Sequence, residues 1–333
     1  MRLRKRTLIG LGLLLGLAVP WLLGGHGVWR RLLDIPAAVF ALAVGFILLG
    51  WHCNAGRLRL LLGSTGRHMG QWRAFAVSMA TDFGYVASPG GAGGWLAWAW
   101  LLRRHAGLGT ARSLALYAAD RLLDLLFFSF ALLTFGLVWA FATGGARLGW
   151  RVLLLLVGMA ALGALVWLLG RYFDRLLRGL LWTLRLLRVS PRRRWRLARS
   201  LMEFHTGLGV VLRLPRGRRA ALVGLCVLYW SLRYSVLYVM VRGLGHHLSW
   251  AYTFVVQLIA LYAGQITLMP GGSGGAELVA GALLVPHLGR TDAAAAVLGW
   301  RLITFYWYLA AGGLVFWLLA GRVLWRRLTA GRP

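Results

Sequence analysis

The sequence predicts an all-α polytopic membrane protein, on three observations. The chain is 59% hydrophobic with a mean hydropathy of +0.69, so most of its length can pass through hydrocarbon at about 20 apolar residues per helix. Only 8 acids face 38 lysines and arginines, and the basic residues fall between the apolar segments, as in cytoplasmic loops facing anionic lipid. The hexapeptide Pro89-Gly-Gly-Ala-Gly-Gly94 returns as Pro270-Gly-Gly-Ser-Gly-Gly275, each time inside a bilayer-compatible stretch. A helix broken at membrane depth is tolerated only where its freed backbone is buried or lines a cavity, and matched breaks in two halves point to a binding site.

The elements follow in order. Arg2, Arg4, Lys5 and Arg6 precede an apolar run over 8–23. Gly24-Gly25-His26-Gly27 lacks a small-x-small cleavage pattern, so an uncleaved first helix with its N-terminus inside is expected. A helix over 35–55 leads to a short basic loop carrying Arg57, Arg59 and Arg67. Two shorter pieces, 72–88 and 92–102, hinge on the first glycine run and close on Arg103 and Arg104. Helices over 111–141 and 152–170 come next. From Arg171 to Arg219 there are fourteen arginines against two acids, Asp174 and Glu203. With Leu176, Leu177, Leu180, Leu181 and Leu184 spaced along it, this stretch is expected to lie on the cytoplasmic membrane surface. A helix over 220–243, a second broken pair (251–269 and 274–287) and a last helix over 291–320 complete the chain, before a basic tail with Arg322, Arg326 and Arg327. Tryptophans near segment ends, among them Trp21, Trp51, Trp150 and Trp250, suit interfacial anchoring.

Placing basic segments inside gives cytoplasmic termini and puts 24–34, 142–151 and 244–250 outside, with Arg30 and Arg31 as exceptions. The first broken pair then enters and returns on the inside, and the second does so on the outside. The second half of each pair, about 11–14 residues, is too short for a ~30 Å core, so both pairs read as re-entrant. Leu108-Gly109 precedes Arg121 at the spacing by which Leu288-Gly289 precedes Arg301. The expected architecture is a single membrane domain over 1–333, with about six spanning helices and two re-entrant hairpins. Its two repeats, about 35–141 and 220–320, have inverted topology.

The half-helix after each glycine run begins with unpaired N–H groups at the positive end of a dipole. Pro89, Gly90, Gly91, Gly93 and Gly94, with Pro270, Gly271, Gly272, Ser273, Gly274 and Gly275, allow close backbone approach to a ligand, and Arg121 and Arg301 add a cation from each repeat. Together they suit an anion such as a phosphate head group; alternatively the glycines serve only a tight turn and close packing. Asp120 and Asp124 share a helix face beside Arg121 and either act on a proton or neutralise the arginine. Asp82 and Glu277 are also expected at membrane depth, with Arg233 as a candidate partner. Gly271-Gly272-Ser273-Gly274-Gly275 satisfies G-x-S-x-G, but the first run has Ala92 where the second has Ser273, so a hydrolase is not the expectation. The net charge of +30 would suggest nucleic acid in a soluble chain; its placement between apolar segments argues against that partner. Cys53 and Cys226 are isolated in apolar stretches, the histidines show no metal spacing, and no metal or cofactor is expected.

At these residues the chain resembles the lysylphosphatidylglycerol synthase transmembrane-region family, the flippase-like integral membrane proteins. The resemblance covers nearly the whole chain. It rests on the 89–94 break, on Asp120-Arg121-Leu-Leu-Asp124, on Pro270-Gly-Gly-Ser-Gly-Gly-Ala-Glu277, and on the helix carrying Arg301 and Phe305-Tyr306-Trp307-Tyr308. It departs from the family at Trp95, which follows Gly94 where an acid is common. The resemblance implies a plasma (inner) membrane protein that moves an anionic or aminoacylated phospholipid, or a lipid-linked intermediate, between leaflets. It also implies the membrane part alone, without a soluble aminoacyltransferase. The expected partners are membrane phospholipids; a second copy of the chain or a separate lipid-modifying enzyme is left open. A non-transporting scaffold of a lipid- or glycan-processing system is the alternative to translocation.

Overall fold

The computed structural model describes the backbone of residues 2–142, 158, 168, 171–209 and 214–330. Among these residues there is no named strand; the fold is all-α and polytopic. Helix α1 (Arg2–Gly24) ends at Gly25, whose φ of +66° lets the chain turn by 100° into α2 (Gly27–Asp34). The segment expected as an outer connection is therefore largely helical, with Val28 and Leu32 buried. Helix α3 (Ala37–Gly63) outlasts its expected end at residue 55. Arg57, expected in a basic loop, lies inside α3 and is fully buried, donating to Asn54 Oδ1 at 3.3 Å and lying 5.8 Å from the centre of the Tyr229 ring.

The first broken pair is α4 (Gln71–Val86) and α5 (Ala92–His105), followed by α6 (Thr110–Ala142). The helix expected over 152–170 lies, but for residues 158 and 168, outside the described residues. The basic stretch forms α7 (Phe173–Leu186) and α8 (Pro191–Gly209). Helix α9 (Arg216–Gly243) precedes the second broken pair, α10 (Trp250–Ile266) and α11 (Gly275–Leu288). Helix α12 (Arg290–Arg301) passes through two π-helical stretches, Leu302–Tyr306 and Tyr308–Gly312, into α13 (Gly313–Ala330). The arginines expected in a tail thus sit on α13. Among the described residues three helical stretches are long and apolar enough to cross a membrane (Ala37–Gly63, Arg216–Gly243 and Arg290–Gly321), and the bent α1–α2 pair makes a fourth if counted as one span.

Two compact units emerge. The first takes Met1–Leu60, His68–Leu101 and Val227–Pro333; the second takes Leu61–Arg67 and Leu102–Cys226. In the first unit α12 is central, packing on α1, α2 and α11. Ala293, Ala294, Ala295, Ala296 and Val297 are fully buried, and such small side chains let neighbouring helices approach closely. The second π-helical stretch packs on α4, where a Cβ on Gly312 would stand 2.8 Å from the Met79 carbonyl oxygen. In the second unit α8 packs on α6 and α7, and the Phe173 ring stacks on His205 at 4.0 Å.

Candidate functional site

Each break is built from glycines in the left-handed region. Gly90 and Gly91 have φ of +58° and +71°; Gly271, Gly272 and Gly274 have +62°, +68° and +86°. Side chains would not fit at three of these positions, Gly91, Gly271 and Gly272, the last set against the Gly264 backbone. A Cβ on Gly91 would lie 2.3 Å from the Tyr85 ring, and one on Gly271 2.3 Å from Phe305. The following half-helices, α5 and α11, have 14 residues each. At 1.5 Å per residue that is about 21 Å, short of a ~30 Å hydrocarbon core. The two breaks meet within the first unit: Pro89 and Pro270 pair in an isolated antiparallel bridge. Beside it Gln265 Nε2 donates to the Tyr85 hydroxyl at 2.9 Å.

The breaks differ in how their backbone is satisfied. At the second, Glu277 is fully buried in the first turn of α11, where the helix dipole favours an acid. Its Oε2 accepts from the Gly274 N–H at 2.7 Å, and its Oε1 accepts from Arg301 Nε at 2.6 Å. Arg301 Nη2 donates to the Gly271 carbonyl at 3.1 Å. The buried Ser273 hydroxyl donates to the Pro270 carbonyl at 2.8 Å. The start of α11 thus already holds a carboxylate, the protein's own. At the first break a hydroxyl takes the corresponding part: Ser88 Oγ accepts from the Gly93 N–H at 2.6 Å. Pro89 and Gly90 stay exposed there, whereas Pro270 is buried. Gly93 packs so tightly on Gly84 that a Cβ would lie 2.2 Å from its carbonyl oxygen; Gly94 is buried against Tyr85. At the second break Gly275 lies against Thr267 and Gly272 against Gly264.

Arg121 and Arg301 each stand twelfth in the helix that follows a Leu-Gly pair, α6 and α12. Their surroundings are not alike. Asp120, Arg121 and Asp124 belong to the second unit. There Arg121 reaches Asp120 at 2.6 Å and Asp124 at 2.9 Å, and its guanidinium lies 5.1 Å from the centre of the Tyr117 ring. Both carboxylates are nearly buried, and Asp124 also accepts a 3.6 Å contact from the Cys226 thiol. Arg121 therefore does pair with both acids.

Of two further clusters, sequence reasoning named only Asp82 and Arg233 as candidates in the first and missed the pairing in the second. On α9, Arg233 Nη1 donates to the hydroxyls of Tyr229 at 2.9 Å and Tyr308 at 3.1 Å. Nearby Trp51 Nε1 donates to Asp82 Oδ2 at 2.9 Å, and the Trp51 and Tyr308 rings are 5.0 Å apart. Nothing local joins these residues in sequence; an arginine inside an apolar segment was the only signal. The second cluster accounts for a basic residue expected outside the membrane. Arg31 grips Asp292 through Nε and Nη2 at 2.6 and 2.7 Å, and His246 contacts the same carboxylate at 2.7 Å. Arg31 also pairs with Asp34 at 3.3 Å.

The family known as the lysylphosphatidylglycerol synthase TM region matches residues 9–312 of the chain. A UPF0104 membrane protein from Archaeoglobus fulgidus is 27% identical over 285 residues, covering 83% of each chain. An uncharacterized protein from Synechocystis sp. is 36% identical over 107 residues, 32% of this chain and 33% of its own. With the match spanning both glycine breaks, the Asp120–Arg121–Asp124 cluster and the Glu277–Arg301 pair, the chain belongs to the lysylphosphatidylglycerol synthase transmembrane-region family.

Proposed function

We propose that this membrane protein translocates a phospholipid, anionic or aminoacylated, or a lipid-linked intermediate, between the leaflets of a plasma membrane. The observation that carries the reading is the meeting of the two breaks at Pro89 and Pro270. Broken helices give a membrane protein backbone polar groups at depth, and a site between two such breaks can be offered to either side by rocking one hairpin against the other. In this reading the two hairpins belong to inverted repeats, the bridge parts as they move, and the head group passes the exposed Pro89–Gly90 tip. Because Glu277 already occupies the start of α11 and closes Arg301, the second break acts as the rigid wall of the path, and the first meets the lipid. The arginines of α7 and α8 gather anionic lipid on the cytoplasmic side, at about 1 kcal/mol per residue close to the surface. Exposed Leu176, Leu180 and Trp182 on α7 suit the same surface.

The test uses the bridge. Residues facing each other across an antiparallel bridge have Cα atoms about 4.5–5.5 Å apart, within the range a disulfide spans. Pro89→Cys with Pro270→Cys, in a Cys53→Ala/Cys226→Ala background, is reconstituted in liposomes with head-group-labelled lipids and a membrane-impermeant quencher. The expected result is head-group-selective movement that stops on oxidation and returns on reduction. Movement no faster than in empty liposomes, or movement indifferent to the cross-link, refutes the reading and leaves a non-transporting scaffold.

A further inference from the structure

Three arginines of the first unit are held by different edges of the guanidinium group. Nε and Nη2 lie on one side and together grip a carboxylate or phosphate with two parallel hydrogen bonds. In Arg31 that edge holds both oxygens of Asp292. In Arg301 it is closed by Glu277 and the Gly271 carbonyl. Arg233 is held the other way round. Its Nη1 donates to Tyr229 and Tyr308, and its guanidinium lies near the rings of Trp230 and Tyr308, at 5.7 and 4.8 Å from their centres. Nε and Nη2 donate to none of the described residues, and neither is among the buried unpartnered atoms. Tyrosine hydroxyls orient the charge without cancelling it, which an acid would do.

The position makes this open edge costly. Arg233 lies about 25 Å along α9 from its start and about 15 Å from its end at 1.5 Å per residue, inside a segment apolar enough to span. A cation at that depth marks a binding or conduction role. Asp82 is near enough to offset part of that charge electrostatically, while its Oδ2 accepts from the Trp51 indole N–H. We propose that the Nε/Nη2 edge of Arg233 seats one phosphodiester oxyanion, supplied by a membrane phospholipid. As a station on the translocation path this rests on the reading above; as a binding site it is tested apart from transport.

The full chain, in phosphate-free detergent, is titrated with dihexanoyl phosphatidylglycerol, with dihexanoylglycerol, which lacks the phosphate, and with inorganic phosphate. Thermal stabilisation and calorimetry report binding. The expected result is preference for the phosphodiester over dihexanoylglycerol, and a loss of about tenfold or more in affinity for it in Arg233→Gln, in line with one charge-assisted pair. Arg233→Lys should fall between, keeping the charge and losing the fork. Arg233→Gln binding within twofold of the native chain overturns the site, and inorganic phosphate binding as tightly as the lipid overturns the lipid as its source. Should Arg233→Gln fail to fold, Tyr308→Phe keeps the charge and removes one anchor; a severalfold loss supports the site and unchanged affinity overturns it. Selective, Arg233-dependent binding by a chain that moves no lipid in vesicles would sink the translocation reading and leave this one standing. Transport by a native chain whose phosphodiester affinity ignores Arg233→Gln would do the reverse.

Discussion

Glu277→Ala should be among the most damaging single substitutions in the first unit. Glu277 is fully buried and Arg301 is 2% exposed, so removing the acid leaves a guanidinium without its counter-charge away from water. Breaking a buried pair from one side costs about 3–5 kcal/mol. The same carboxylate accepts from the Gly274 N–H, and losing a helix cap of this kind adds about 1 kcal/mol. The expected total, about 4–6 kcal/mol, approaches the whole stability of an ordinary domain. Unfolding in mixed micelles by a denaturing detergent, followed by circular dichroism, gives the number. The informative companion is Glu277→Ala/Arg301→Met, which removes both charges and fills the space with an apolar chain. It should be more stable than Glu277→Ala alone, with a coupling of about 2–3 kcal/mol. Effects of the two single substitutions that add to within about 0.5 kcal/mol would refute the pairing as an energetic unit.

Gly271→Ala should cost about 1–2 kcal/mol for left-handed backbone and about 1–3 kcal/mol more for the clash with Phe305. Gly90→Ala has open space around its Cβ, with Leu268 at 3.7 Å, and should carry only the backbone cost; equal losses in melting temperature would refute the distinction. Single cysteines at Gly70 and Gly107 should react with an impermeant maleimide only from the cytoplasmic side, and cysteines at Ser249 and Gly289 only from outside. Labelling of all four from one side of intact cells would exclude inverted hairpins.

The fold was legible where a residue type acts locally. Proline and glycine stop helices by their own stereochemistry, so both breaks and the half-helices around them stood out, with boundaries within a few residues of α4, α5, α10 and α11. Arg57 misled because an arginine after an apolar run reads as the start of a loop; in the fold it is buried within α3, with Asn54 and the Tyr229 ring among its neighbours. The π-helical stretches after Arg301 leave no mark in the hydrophobic pattern, since widening a turn needs no particular residue. Of the site, the glycines and Arg301 were visible, but the role of Glu277 in closing the second break depends on a turn and a partner 24 positions away. Arg233 with its tyrosines was hidden for the same reason. Tyr308 lies 75 positions from it, and only folding brings them together.

Arg31 and Asp292 are 261 positions apart, and α1 packs mainly on α12, which is made long after it. During synthesis Arg31 must therefore sit with only Asp34 for company until most of the protein has been made. The early helices enter the bilayer in a provisional arrangement, and the late arrival of Asp292 fixes their final seating. A chain halted before α12 would lack both the acid that secures α2 and the surface that holds α1. Assembly of the first unit thus waits until α12 has been made, and a quality-control protease acting on nascent membrane proteins would find α1 and α2 unsecured until then.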